Sequence, residues 1–455
     1  MPADPKQVKE KLDKVGCGFC LAKWTQVTMH LGSGINHSCH HVKAHKVSLD
    51  ELANNPNALH NTGFKKDVRK QMLSGQRPNE CDYCWRIEDN TDKFSDRTYK
   101  SADDFSWNDY DEISKFTGDE DFYPRYVEVS FGNVCNFKCA YCGPPFSSKW
   151  TEEVKQHGPY VLDRWSYNMI DPNEELIPLR EENPYIEAFW RWFPEAVKHM
   201  HTFRITGGEP LLSKHTQKVI QYLIDNPQPH LDFAINTNGC PPNDLWKEFT
   251  QSIKSLEERN CVKAFTLFTS AESSGAQAEY SRHGMDWNMF KDNIEHFARN
   301  TKARISFMSA FNIFSLPTFK DFLIWVLYLK SNYYGKHKAN QRILVDIPYV
   351  RNPEFLDVKI ANEQIVDDYL KPALKFMQEN TNHHGFKNIE TEKLNRIVAD
   401  VDHRLTNKEF RNEQLEAQRK FSMFIKQYDQ RRNLNFVKTF PEYEHFLKIC
   451  DSRNV

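Results

Sequence analysis

Cys135-Asn136-Phe137-Lys138-Cys139-Ala140-Tyr141-Cys142 follows Tyr126-Val127-Glu128-Val129-Ser130 after four residues, and these two stretches decide how the chain is read. The first five residues alternate apolar and polar, as a β-strand does. A loop leaving the end of a strand can turn three sulfurs toward one point, and thiolates are the usual protein ligands of iron–sulfur clusters. A cubane cluster has four irons, so three cysteines leave one iron without a protein ligand. An open coordination position marks a catalytic metal centre, and a closed one a structural centre. A zinc knuckle is the competing reading, although structural zinc takes four protein ligands and this loop supplies three.

With Tyr141 before its last thiol, C-x3-C-x2-C resembles the cluster loop of the radical S-adenosylmethionine (radical SAM) enzymes. The resemblance implies a [4Fe–4S] cluster on Cys135, Cys139 and Cys142, with S-adenosyl-L-methionine chelating the open iron and Tyr141 beside it. One electron from an external flavodoxin- or ferredoxin-like reductant cleaves the cofactor in such enzymes. The 5′-deoxyadenosyl radical so formed abstracts hydrogen from a substrate, while the protein supplies orientation and exclusion of side reactions.

Strands and helices alternate after residue 123, which argues for parallel α/β architecture. The expected strands are 126–130, 203–206, 232–236, 264–270, 304–310 and 343–347. Amphipathic helices lie between them, one carrying Trp287, Phe290, Ile294 and Phe297 on a single face. Together with the family resemblance, six such units imply a partial (β/α)6 TIM-type barrel, whose chemistry sits at the C-terminal strand ends. There the second strand runs into Thr206-Gly207-Gly208-Glu209-Pro210, which matches the family's GGE motif. By resemblance, Gly207, Gly208 and Glu209 hold the methionyl amino group. Asn236-Thr237-Asn238-Gly239 resembles a further family segment, with an ordinary polar turn as the alternative. Ser270 falls where relatives place a serine near the cofactor carboxylate, although Glu272-Ser273 departs from the Asp-Gly common there. Arg282 stands in a segment resembling the family's R-x-G, which implies that it pairs with that carboxylate, with a surface ion pair as the alternative, and Asn312 is a candidate for the ribose hydroxyls. No residue is assigned to the hydrogen-abstraction step.

Cys17, Cys20, Cys39, Cys81 and Cys84 form a second constellation before residue 100. Gly32 and Gly34 permit a turn between residues 24–29 and Cys39, and helical segments over 49–74, opening at Ser48, lead to the Cys81/Cys84 pair. C-x13-G-x4-C at Cys20, Gly34 and Cys39, with Trp24 and Cys81/Cys84, resembles the twitch domain, a shortened SPASM-type auxiliary cluster domain. It implies a second [4Fe–4S] cluster on Cys20, Cys39, Cys81 and Cys84, with Cys17 left out. Structural zinc remains the alternative here. His30, His37, His40, His41 and His45 are expected on a solvated surface, not on a metal.

Residues 1–100 are therefore expected as an auxiliary cluster domain, 101–122 as an acidic linker, 123–350 as the barrel and 351–455 as a helical extension. Residues 158–176 read as an insertion without a clear element, a lid or substrate loop. A net charge of -2 gives no electrostatic case for nucleic acid. No apolar run long enough to span a membrane occurs, and the charged N-terminus is not a signal peptide. Eleven cysteines, an odd number, do not form a disulfide framework in a chain this long and suit a reducing cytoplasm. The leading expectation is a radical SAM enzyme acting on a peptide or protein. The rivals are a small-molecule or nucleoside substrate, and a non-catalytic iron–sulfur or zinc protein.

Overall fold

The computed structural model describes residues 4–170, 176–178, 181–334 and 339–452. Its strands are β1 (Gln26–His30), β2 (Ile35–His37), β3 (His45–Lys46), β4 (Tyr126–Ser130), β5 (Tyr160–Leu162) and β6 (Trp165–Tyr167). There follow β7 (Thr202–Thr206), β8 (Gln228–Thr237), β9 (Val262–Thr269), β10 (Arg304–Met308) and β11 (Ile343–Asp346). Nine of them form one sheet in the order β11-β10-β9-β8-β7-β4-β1-β2-β3. From β11 to β1 every pairing is parallel, and only the β1–β2 and β2–β3 pairings are antiparallel. The chain is thus α/β with a mostly parallel central sheet.

All six strands read from the alternation are present. Their apolar members Val127, Phe203, Ile205, Phe233, Leu267 and Ile305 are buried, as strands covered by crossover helices must be. Helix Trp287–Asn300 shows how the local sequence sets an element. Asp286 caps it by accepting from the Met289 N–H, and Trp287, Phe290, Ile294 and Phe297 are all buried on one face.

Three segments differ from expectation. Strand β1, expected only as an arm of the cysteine hairpin, pairs in parallel with β4 from Gln26↔Tyr126 to His30↔Ser130, so the N-terminal segment extends the sheet. Residues 101–122, expected as a solvated linker, contain the helices Asp104–Trp107 and Tyr110–Ile113. Their sparse apolar residues do the packing: Ala102, Ile113 and Phe122 join a small second core with Phe19, Trp24 and Met72. The insertion expected without an element holds the antiparallel hairpin β5–β6, and residues 171–175 of it lie outside the described part. Beyond residue 351, helix Arg411–Arg432 buries Phe421, Phe424, Ile425 and Tyr428 against the main core.

Candidate active site

The cluster loop starts at the C-terminal end of β4 and is held by its backbone. The N–H groups of Lys138 and Ala140 donate to the carbonyls of His283 (2.9 Å) and Ser281 (2.8 Å). On the other side, Trp150 Nε1 donates to Cys139 O (2.8 Å) and Arg432 Nη1 to Lys138 O (2.7 Å). Tyr167 Oη donates to Ala140 O (2.9 Å) and Cys142 O (3.1 Å), and Asn168 Nδ2 to Cys142 O (2.8 Å). With the backbone engaged outward, the three thiols line a common cleft of about 570 Å³ together with Tyr141, Gly207, Gly208, Ser270 and Arg282.

The donor set fits an iron–sulfur cluster. In a cubane each thiolate meets a different iron, so the thiols must ring a cleft. Among the described residues no three His, Cys, Asp or Glu are grouped to hold one metal ion. Burial pushes the Cys135 thiol up to about 12 and raises Cys139 and Cys142 as well; metal ligation deprotonates such thiols outright. Donors already reach two sulfurs. The Phe137 N–H lies 3.4 Å and Asn238 Nδ2 4.0 Å from Cys135 Sγ, and Arg282 Nη1 lies 3.9 Å from Cys139 Sγ.

Gly207 and Gly208 are required by the approach of this loop. Gly207 sits at φ 124°, where a side chain is strained. A Cβ on Gly208 would fall 2.3 Å from Val134 O, and the next N–H, of Glu209, donates to that same carbonyl at 2.7 Å. Glu209 is 1% exposed and does not line the thiol cleft. Its carboxylate ties β7 to the end of β8, accepting from Asn238 N (2.6 Å), Thr237 Oγ1 (2.8 Å) and Leu211 N (3.1 Å). Burial outweighs these bonds and raises its carboxyl to about 7.

Arg282, expected to face a cofactor carboxylate, already holds one. Its Nε lies 3.0 and 3.2 Å from the oxygens of Glu272, and Nη2 bonds Glu272 Oε2. Tyr141 Oη donates to Glu272 Oε1 (2.9 Å), and the guanidinium lies 5.4 Å from the Tyr141 ring centre. Asn312 does not line the cleft: it is fully buried, caps a short helical turn through Phe314 N (2.9 Å) and donates to Ala310 O (2.7 Å). Sequence reading missed Trp150, Tyr167 and Arg432, noted Glu272 only as a departure from the Asp-Gly of relatives, and left Asn238, which bonds Asn136 Oδ1 (2.7 Å), between a family segment and a polar turn. Only Glu272 and Asn238 carried a signal, each standing at the end of a parallel strand.

At the opposite end of the sheet, Cys20, Cys39, Cys81 and Cys84 line one small pocket with Lys23 and Arg97. Burial and mutual repulsion raise Cys20, Cys81 and Cys84, the last two to about 12. Cys17 is exposed and its thiol donates to Gly75 O (3.0 Å). Cys39 also borders a pocket with Gln26 and Tyr126, the first residues of β1 and β4, whereas the core loop follows their last residues. The expectation of solvated histidines fails for three of the five. His30 and His37 are partly buried, with Nε2 atoms 3.3 Å apart, and burial lowers His37 to about 4. His45 is packed on Phe64 and bonds Thr62 Oγ1 (2.9 Å).

No family model matches the chain. Curated proteins do. A GTP 3',8-cyclase of Nautilia profundicola is 27% identical over 129 residues, 28% of this chain and 31% of the relative. GTP 3',8-cyclases of Campylobacter jejuni (strain RM1221) and Sulfurimonas denitrificans are 30% and 29% identical over 133 and 122 residues. The chain is related to the radical SAM enzymes. It spans about a third of the length of these radical SAM relatives, 31% and 30% in the latter two. Among the described residues no helix is long and apolar enough to cross a membrane.

Proposed function

We propose that this protein is a radical SAM enzyme whose core cluster is held by Cys135, Cys139 and Cys142. The observation that carries the reading is the single cleft at the C-terminal ends of parallel strands, which brings those thiols together with Tyr141, Gly207, Gly208, Ser270 and Arg282. With its cofactor bound, a cluster of this kind supplies one-electron cleavage to a 5′-deoxyadenosyl radical that takes hydrogen from a substrate. The chain's own part is to clamp the loop from behind, to bring donors to the Cys135 and Cys139 sulfurs, and to present Gly208 and Ser270 to the cofactor. The strands from β4 to β11 curve into a partial barrel in this reading, and an outside reductant supplies the electron. The N-terminal thiols hold a second cluster, which suits electron relay if all four ligate.

For the substrate, the relatives are named for a reaction of GTP, and this favours a nucleotide or nucleoside. The peptide reading rests on the likeness of the N-terminal cysteines to twitch domains and on nothing further. Anaerobic incubation with S-adenosylmethionine and dithionite should release 5′-deoxyadenosine. The Cys135, Cys139 and Cys142 to Ala triple variant should release none, and undiminished cleavage by it would sink the assignment. Mass spectrometry of GTP and of candidate peptides from the same incubation separates the two substrate classes.

A further inference from the structure

Two segments without any cluster motif, the β5–β6 hairpin and helix Arg411–Arg432, meet behind the cluster loop. Arg431 donates to the carbonyls of Gly158 (2.8 Å) and Pro159 (2.9 Å), and Gln427 bonds both backbone groups of Val161. One residue further on, Arg432 turns inward, its side chain fully buried. Nη1 reaches Lys138 O at 2.7 Å, while Nε and Nη2 reach the Glu153 carboxylate at 3.0 and 3.2 Å. Glu153 also accepts from Lys138 Nζ (2.5 Å) and Tyr160 Oη (2.6 Å). The guanidinium lies 3.9 Å from the Tyr428 ring centre and 4.7 Å from that of Trp150, whose Nε1 bonds Cys139 O.

One side chain from the C-terminal helix thus holds the carbonyl just before Cys139 and supports the ring that holds the carbonyl of Cys139 itself. Two cations, the buried Arg432 and the partly exposed Lys138, face one anion, Glu153, so the group beside the loop carries a net positive charge. Thiolate ligands make a bound cluster a site of negative charge, and its reduced form is the more negative. A buried positive charge therefore favours reduction, and charge and hydrogen bonding around the sulfurs set the potential of such clusters. Bonds that orient the ligands set how firmly the metal is kept.

We propose that Arg432 is a positioning residue for the cluster loop, through which the C-terminal helix governs both the retention of the core cluster and the potential at which it is reduced. This rests on the reading of Cys135, Cys139 and Cys142 as cluster ligands. Arg432→Lys keeps the charge but gives up the planar fork that joins Lys138 O to Glu153. Arg432→Met combined with Glu153→Gln removes the pair together and avoids leaving Glu153 unmatched by its main partner.

The test uses the reconstituted full chain. The core cluster is recognised by the change in its reduced electron paramagnetic resonance signal when S-adenosylmethionine is added. Its decay in excess ethylenediaminetetraacetate and its midpoint potential are both measured. Arg432→Lys should lose the signal several-fold faster at a nearly unchanged potential. The double variant removes one positive and one negative charge, so it should lose the signal at least tenfold faster at a nearly unchanged potential, whereas Arg432→Met alone removes one positive charge and should lower the potential by a tenfold change in the equilibrium ratio, about 59 mV for one electron. Wild-type decay in a folded double variant, or a wild-type potential in folded Arg432→Met, would overturn the inference. Should the double variant not fold, Arg432→Lys decides alone, and an unchanged decay rate overturns the inference. A wild type that carries N-terminal iron but no cofactor-responsive signal overturns the proposed function itself.

Discussion

A buried guanidinium must be neutralised, and at Arg282 the partner is Glu272. Burial alone would lower the Arg282 pKa; the Glu272 carboxylate, with Tyr141 behind it, reverses that and keeps the cation. Removing one member of a buried pair strands the other, at a cost of about 3–5 kcal/mol, whereas removing both together is far milder. Arg282→Met and Glu272→Gln should each lower stability by about that amount, and the double variant by much less than their sum, in urea unfolding of the cluster-free chain. Simple additivity would mean the pair is not coupled. Glu153 provides a pH test. Burial by itself would raise its pKa, but Arg432 and then Lys138 overcome this and bring it down to about 2, below the 4.5 of a free glutamate. A depressed folded-state value contributes stability above about 4.5 that is lost as the pH falls toward 2. Acid unfolding should therefore be shallower across that window in the Arg432→Met/Glu153→Gln variant than in the wild type. Equal slopes would remove Glu153 from the account of acid stability.

At the scale of elements, the β5–β6 hairpin is a strut under the cluster loop. Tyr167 shares its one hydroxyl proton between two loop carbonyls, and a net hydrogen bond of this kind contributes about 0.5–1.5 kcal/mol. Tyr167→Phe should lower stability by roughly 0.5–1.5 kcal/mol on that basis and speed amide exchange in residues 138–142 more than in β8. Uniform protection across both would show that the hairpin does not brace the loop. The hairpin was illegible in the sequence because its strands have three residues each, Val161 and Trp165 face solvent, and its anchor Gln427 lies 266 residues away. The parallel strands from β4 to β11 were legible for the opposite reason: they carry their own alternation, and some of the amphipathic helices between them have their own caps, as Asp286 and Ser213 provide. The short helices in 101–122 were hidden by acidic residues that outnumber the few apolar side chains they bury.

For the whole molecule, the consequential arrangement is two thiol groups at opposite ends of the same strands. Cysteine spacing singled out the core loop, since three thiols fall within eight residues. Cys20, Cys39, Cys81 and Cys84 were also read together, on the turn at Gly32 and Gly34 and the resemblance to a twitch domain, and they line one pocket where β1, β2 and the helices that follow pack. Reconstituted wild type should carry about eight irons, as two [4Fe–4S] clusters require. The core triple variant should keep about four, and Cys39→Ala or Cys84→Ala should likewise lose about four. Cys17→Ala should lose none. One zinc and no iron in the core triple variant would turn the N-terminal site into a zinc site. The pairing of β1 with β4 bears on how the protein is made. Gln26 and its partner Tyr126 stand 100 residues apart, and ribosomes add about 5–20 residues per second. Strand β1 therefore waits about 5–20 s with one edge unpaired, a state open to wrong pairing. By the end of that wait Cys20, Cys39, Cys81 and Cys84 have all been synthesised while the core loop has not, so if the N-terminal thiols bind metal as proposed, they can do so before the core loop exists.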